Sequence, residues 1–169
     1  MVSRDALVNV VILVTCGVVA GLALEQRFYG RAAAAVAAPI VAPAIGKPAE
    51  ILEDVGYADA ERSYILYVRS TCQYCTASMP FYRQFAQALN SHRGARLVMA
   101  SYESKATTAA YLAEQGLFGP SITITRTKAP GPTPVLVLVD RHGIVQNAWV
   151  GQQDASGERA ILASLSANQ

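Results

Sequence analysis

Cys72-Gln73-Tyr74-Cys75 is the segment of this chain best equipped for chemistry. Two thiols at this spacing lie within bridging distance when the segment enters a helix. Unpaired amide N–H groups and the positive helix end then stabilise a thiolate on the first sulfur. The second sulfur, one turn further in, can resolve a mixed disulfide formed on the first. Redox exchange is the reading adopted. Its alternatives are half a zinc site and an inert structural disulfide. Zinc wants four ligands, whereas the chain has no second cysteine pair, and His92 and His142 lack ligand spacing. A disulfide between adjacent turns closes a small loop and stabilises little.

The pair needs a strand before it and a helix behind it. Residues 64–68 (Tyr-Ile-Leu-Tyr-Val) are aromatic and β-branched and read as a buried strand. Beyond Cys72, the apolar positions Cys75, Met79, Tyr82, Ala86 and Leu89 form one helix face, expected to end near Gly94. Residues 97–100 read as a second strand. Ser104 offers the N-cap of a short helix through Tyr111 and Leu112, with Gly116 as its stop. Residues 134–139 are the most strand-like run, Asp140-Arg141-His142-Gly143 is a turn, and 144–150 return as the hairpin partner. Ser156 can cap a last helix with Ile161, Leu162 and Leu165 on its inner face. There is no internal repeat. The expected order is β, α, β, α, β, β, α: an α/β fold with a mixed central sheet and helices on both faces.

Other residues carry weaker signals. Tyr74, between the cysteines, is expected to be exposed and to tune access to them. Trp149 reads as core, His142 as a solvated turn residue, and His92 as a helix C-terminal residue. Residues 121–131 are locally basic and alternate apolar with polar side chains. They read as an edge strand with a loop, or as a flap beside the site for an assembly partner.

Only 15% of the 169 residues are charged, against about 25% in a typical soluble domain. The shortfall is local: residues 6–24 carry no ionisable side chain apart from Cys16. At about 1.5 Å per residue such a helix crosses the roughly 30 Å hydrocarbon core. An uncleaved single-pass anchor is the reading adopted, over a cleaved signal peptide or a lipoprotein signal using Cys16. Arg4 precedes the span and Arg27 and Arg31 follow it, so positive charge does not decide orientation. The expected domains are an anchor over 1–28, an Ala/Pro-rich linker over 29–48, and a folded domain over 49–169. From Pro48 onward, ten Lys and Arg face ten Asp and Glu. That balance leaves no basic footprint for nucleic acid. Three cysteines make no disulfide scaffold.

Over roughly residues 60–166 the pattern resembles the thioredoxin superfamily. The features are the C-x-x-C at a strand–helix junction, Pro80 five residues after Cys75, and Thr133-Pro134 before an apolar strand. The resemblance implies a cis Thr133–Pro134 bond whose loop packs against the cysteines. It implies that Cys72 is the nucleophile, Cys75 the resolving thiol, and Tyr74, Thr133 and Pro134 the substrate-binding residues. It further implies a Cys72–Cys75 disulfide in the oxidised state and no bound cofactor or metal. With the anchor and the Val-Leu-Val-Asp-Arg-His-Gly hairpin, the chain is similar to membrane-tethered, periplasm-facing thioredoxin-like proteins of bacteria. The expected partners are therefore protein thiol or disulfide clients and a redox partner protein, reached from the bacterial inner membrane with the C-terminal domain in the periplasm. Two features depart from the thioredoxin pattern: Arg69-Ser70-Thr71 replaces a tryptophan-bearing approach, and Leu66 stands where a buried aspartate is usual. The alternatives in function are a redox-inert adaptor using the same fold, and a metal carrier.

Overall fold

Arg62–Tyr67 forms the central strand, β1, of a five-stranded sheet. Then follow α1 (Gln73–Leu89), β2 (Ala95–Ser101), α2 (Lys105–Glu114), β3 (Ile122–Arg126), β4 (Val135–Asp140), β5 (Val145–Val150) and α3 (Ala155–Ser166), with a single 3₁₀ turn, Tyr57–Asp59, ahead of β1. The computed structural model describes residues 15, 43–50, 52, 55–119 and 122–166. Two units divide the chain, Met1–Pro39 and Ile40–Gln169. The expected anchor over 6–24, Cys16 included, lies outside the described residues except for Thr15. Among the described residues no helix is long and apolar enough to cross a membrane.

The strand order is β3-β2-β1-β4-β5, with β1, β2 and β3 parallel and β4 and β5 antiparallel. Residues 122–126 are thus a true edge strand, and they add a fifth strand to the expected four. Alternation along β1 sorts its side chains. Tyr64 and Leu66 face one core with Leu97, Met99, Leu136 and Leu138. Ile65 and Tyr67 face the other with Val98, Val137 and Val139.

Helices were expected on both faces, but all three α-helices bury against the first. Phe85 and Leu89 of α1, Tyr111 of α2, and Ile161 and Leu165 of α3 share one cluster. The connections explain this. From β1 to β2 to β3 the chain steps in one direction across the sheet, and crossovers of one hand then place α1 and α2 on one side. The opposite face is covered by Leu52 and Val55, with Tyr57 packed against them.

Three boundaries also differ from expectation. α1 ends at Leu89, not near Gly94, because the apolar stripe stops there and Asn90-Ser91-His92 are weaker helix formers. Gly94, at φ +79°, instead makes the turn into β2. The folded unit begins inside the expected linker: Gly46 donates to the Val145 carbonyl at 2.8 Å and Ala49 to that of Gly143 at 2.7 Å. The cap of α3 is Asp154, not Ser156; one Asp154 carboxylate oxygen accepts from the N–H groups of Ser156 (3.0 Å) and Gly157 (2.8 Å). A carboxylate there satisfies two orphan amides and also meets the positive helix end. Asp154→Ala is therefore expected to cost about 1 kcal/mol in urea unfolding, and Ser156→Ala less than about 0.5 kcal/mol. Equal losses would return the cap to Ser156.

Candidate active site

Cys72 occupies the N-cap of α1 with extended backbone (φ −90°, ψ 107°). A short turn, in which the Cys72 N–H donates to the Arg69 carbonyl at 3.1 Å, brings it there from β1. The backbone N–H of Cys75 points at Cys72 Sγ, 3.1 Å away. That donor and the helix end are what a thiolate on Cys72 would use. The two cysteines form a disulfide, with Cα atoms 5.2 Å apart. Cys75 belongs to the inward stripe with Met79, Tyr82, Ala86 and Leu89, all buried. Its own exposure is 0%, against 7% for Cys72. Cys72 is thus largely covered, though still the more accessible sulfur.

Its cover comes from across the sheet. The Thr133 carbonyl oxygen lies 3.3 Å from Cys72 Sγ. The Thr133–Pro134 bond is cis, and both residues are buried. They sit beside the cysteines because β4 runs antiparallel to β1, pairing Val135 with Tyr67 at the end where α1 starts. The expected set Cys72, Cys75, Thr133 and Pro134 is thus brought together. Tyr74 is 55% exposed at the rim, as expected. Trp149 is half-buried against the helical core, and His142 is exposed in its turn. Leu66 is fully buried, so no carboxylate stands at that position beneath the pair.

An open groove of about 640 Å³ starts at Tyr74 and Thr133 and runs to Gly151, Gln152, Gln153 and Asp154. Gly151 lines it at φ +79°, a conformation that suits glycine, while its N–H donates to the Pro134 carbonyl at 2.7 Å. Cys72 does not line the groove; it adjoins it through Thr133, whose carbonyl oxygen faces Cys72 Sγ. Among the described residues no three of His, Cys, Asp and Glu converge as metal ligands.

The loop before Cys72 is tied down by residues that sequence reasoning missed. Glu103 accepts from Ser70 twice, from the N–H at 2.9 Å and from Oγ at 2.8 Å. Arg69 Nε donates to Thr133 Oγ1 and its Nη1 to the Tyr102 hydroxyl, both at 3.3 Å, with the guanidinium 5.8 Å over the Tyr102 ring. One signal was available. Parallel neighbours β1 and β2 must end side by side, so the polar residues just past each of them, 69–70 and 102–103, had to meet. Nearby, burial raises the pKa of Tyr111, whose hydroxyl pairs with Thr76 Oγ1 at 3.2 Å near the start of α1.

No protein-family model matches the sequence, and no curated protein does. Solved structures do match. A candidate protein disulfide isomerase from Bacteroides thetaiotaomicron superposes with TM-score 0.58 at 16% identity, covering 76% of this chain and 92% of that one. A candidate thioredoxin from Neisseria meningitidis gives 0.50 at 16%, covering 77% and 92%. The domain has the thioredoxin fold. A thiol:disulfide interchange protein from a Bacteroides species shares it with TM-score 0.55 at 11% identity, over 75% of this chain and 93% of its own. Identity this low carries the fold and no more. The cysteine pair and the cis proline are this chain's own residues, placed where a thioredoxin-fold sheet brings helix start and proline loop together.

Proposed function

We propose that this domain is a thiol–disulfide oxidoreductase acting on protein clients, with Cys72 as nucleophile and Cys75 as resolving thiol. The arrangement of Cys72 Sγ carries the reading: it caps α1, receives the Cys75 N–H and faces the Thr133 carbonyl at the head of an open groove. In the reduced state the Cys72 thiolate attacks a client disulfide. A Cys72–client S–S bond forms and one client sulfur leaves as thiolate. Cys75 then attacks Cys72 Sγ, freeing the second client sulfur and closing the Cys72–Cys75 disulfide. The client gains two electrons and the pair loses two. Run backwards, the same steps oxidise a client dithiol. The sulfurs carry the electrons, so no bound cofactor is required.

In this reading residues 6–24 hold the domain at the bacterial inner membrane on its periplasmic side, where Thr133, Pro134 and Tyr74 receive the client chain. The test uses the full-length chain with a synthetic peptide disulfide and dithiothreitol. Catalysed reduction that disappears in Cys72→Ser supports the assignment, whereas a pair that never exchanges points to a binding adaptor. The same protein should stay in the membrane fraction, with its domain cut by protease added to the outer face of that membrane. Soluble protein released by osmotic shock would remove the anchor.

A further inference from the structure

The domain is neutral overall, yet its charges are unevenly placed around the cysteines. β1, β2 and β3 are parallel, so their C-terminal ends lie together at the edge where α1 begins. That edge carries Arg69 just past β1, Lys105 opening α2, Arg126 ending β3, and Lys128 two residues on. Its carboxylates, Glu103 and Asp154, keep their charge while Glu103 holds Ser70 and Asp154 caps α3, so four cations against two anions leave this edge at a net +2. Arg126 and Lys128 are exposed. The Arg126 Nε donates to the Tyr102 carbonyl at 3.3 Å, which anchors this side chain beside the Arg69–Tyr102 pair.

Arg69 connects this edge to the site. Its guanidinium is hydrogen-bonded to the side chain of Thr133, the residue whose carbonyl faces Cys72 Sγ. Among the described residues, two of its five N–H groups are used on Thr133 and Tyr102. A planar fork held in place this way is suited to bind a carboxylate in two-point fashion.

We propose, resting on the oxidoreductase reading, that Arg69, Arg126 and Lys128 form a specificity rim favouring protein clients whose cysteines are flanked by aspartate or glutamate. The client carboxylate pairs with Arg69 beside Thr133, and Arg126 and Lys128 draw the acidic segment toward the edge before contact. The rim borders the redox pair, which is why a client chain is its occupant and not a lipid surface.

Two synthetic peptide disulfides of equal length test this, one with aspartate and one with lysine flanking the cysteines. Each is presented to the reduced full-length protein in non-ionic detergent, and its rate is divided by its own rate with uncharged dithiothreitol. At about 0.01 M ionic strength, where screening extends about 30 Å, the acidic peptide should react about tenfold faster. That advantage should shrink to near unity at about 1 M salt, where screening falls to about 3 Å. Arg126→Gln with Lys128→Gln should reduce the ratio at low salt, and Arg69→Gln should reduce it independently. A change in Cys72 reactivity alters both peptide rates alike and leaves the ratio untouched. Equal wild-type rates for the two peptides overturn the rim while the redox reading stands. A rim that takes phosphatidylglycerol added to the micelles in preference to the acidic peptide also overturns it. No reaction with either peptide overturns rim and redox reading together.

Discussion

Cys75→Ser is expected to accumulate as a covalent mixed disulfide with its client through Cys72, whereas Cys72→Ser should trap almost nothing. The two sulfurs share a bond but not an environment. Cys72 is at the N-cap, touched by the Cys75 amide and next to the groove. Cys75 is fully buried on the inward stripe of α1. A client sulfur can therefore reach Cys72 and not Cys75. Once the mixed disulfide forms, release depends on Cys75 held one helical turn away. Such intramolecular attack corresponds to a very high effective concentration. Serine cannot perform it, and release should slow by roughly 10³ or more. Non-reducing electrophoresis with mass spectrometry of the adduct reads the outcome. If Cys72→Ser proves the better trap, the roles are reversed.

The second large effect concerns the wedge that carries the site. Phe85 of α1 is fully buried, meeting Tyr64 of β1 edge-to-face at 5.0 Å and Phe81 at 6.2 Å. It fixes α1 against the central strand, and so fixes the helix start where Cys72 sits. Phe85→Ala should cost about 3–5 kcal/mol, the lost burial plus the cavity left behind. Against a total stability of about 5–15 kcal/mol, many molecules would become marginal. Phe85→Leu, which keeps most of the volume, should cost less than about 1.5 kcal/mol. Urea unfolding followed by circular dichroism measures both. Similar small losses in the two variants would mean that Phe85 fills no defined space.

What the sequence made legible is what local chemistry encodes. The 4, 3, 4, 3 spacing from Cys75 to Leu89 picked out five buried residues of α1, because helical period sets which side faces the sheet, but it passed over Ser78, Phe81 and Phe85, which widen the buried face beside that stripe. Thr133-Pro134 and the C-x-x-C stood out because few other settings use them together. Side-chain meetings between distant loops were legible only through the pairing of β1 with β2, and no local pattern marked them. Glu103 and Ser70 are 33 residues apart, as are Arg69 and Tyr102, and each looks like an ordinary surface residue in its own segment. The covering of the sheet was misjudged for a similar reason. Without β3 placed beside β2, nothing showed that both crossovers advance the same way. Ser156 was a plausible cap by type, but Asp154, two residues earlier, combines the cap oxygen with a negative charge at the helix start.

The central claim is that Cys72 and Cys75 form a working redox pair, and its most direct test is their equilibrium with glutathione buffers of graded potential. Acid quenching, alkylation and mass measurement give the fraction reduced at each potential. The pair should titrate reversibly as one two-electron couple, at a potential between about −270 and about −120 mV, with the domain folded throughout. A pair that stays oxidised until the protein unfolds, or whose cysteines titrate as two independent thiols, would contradict the claim.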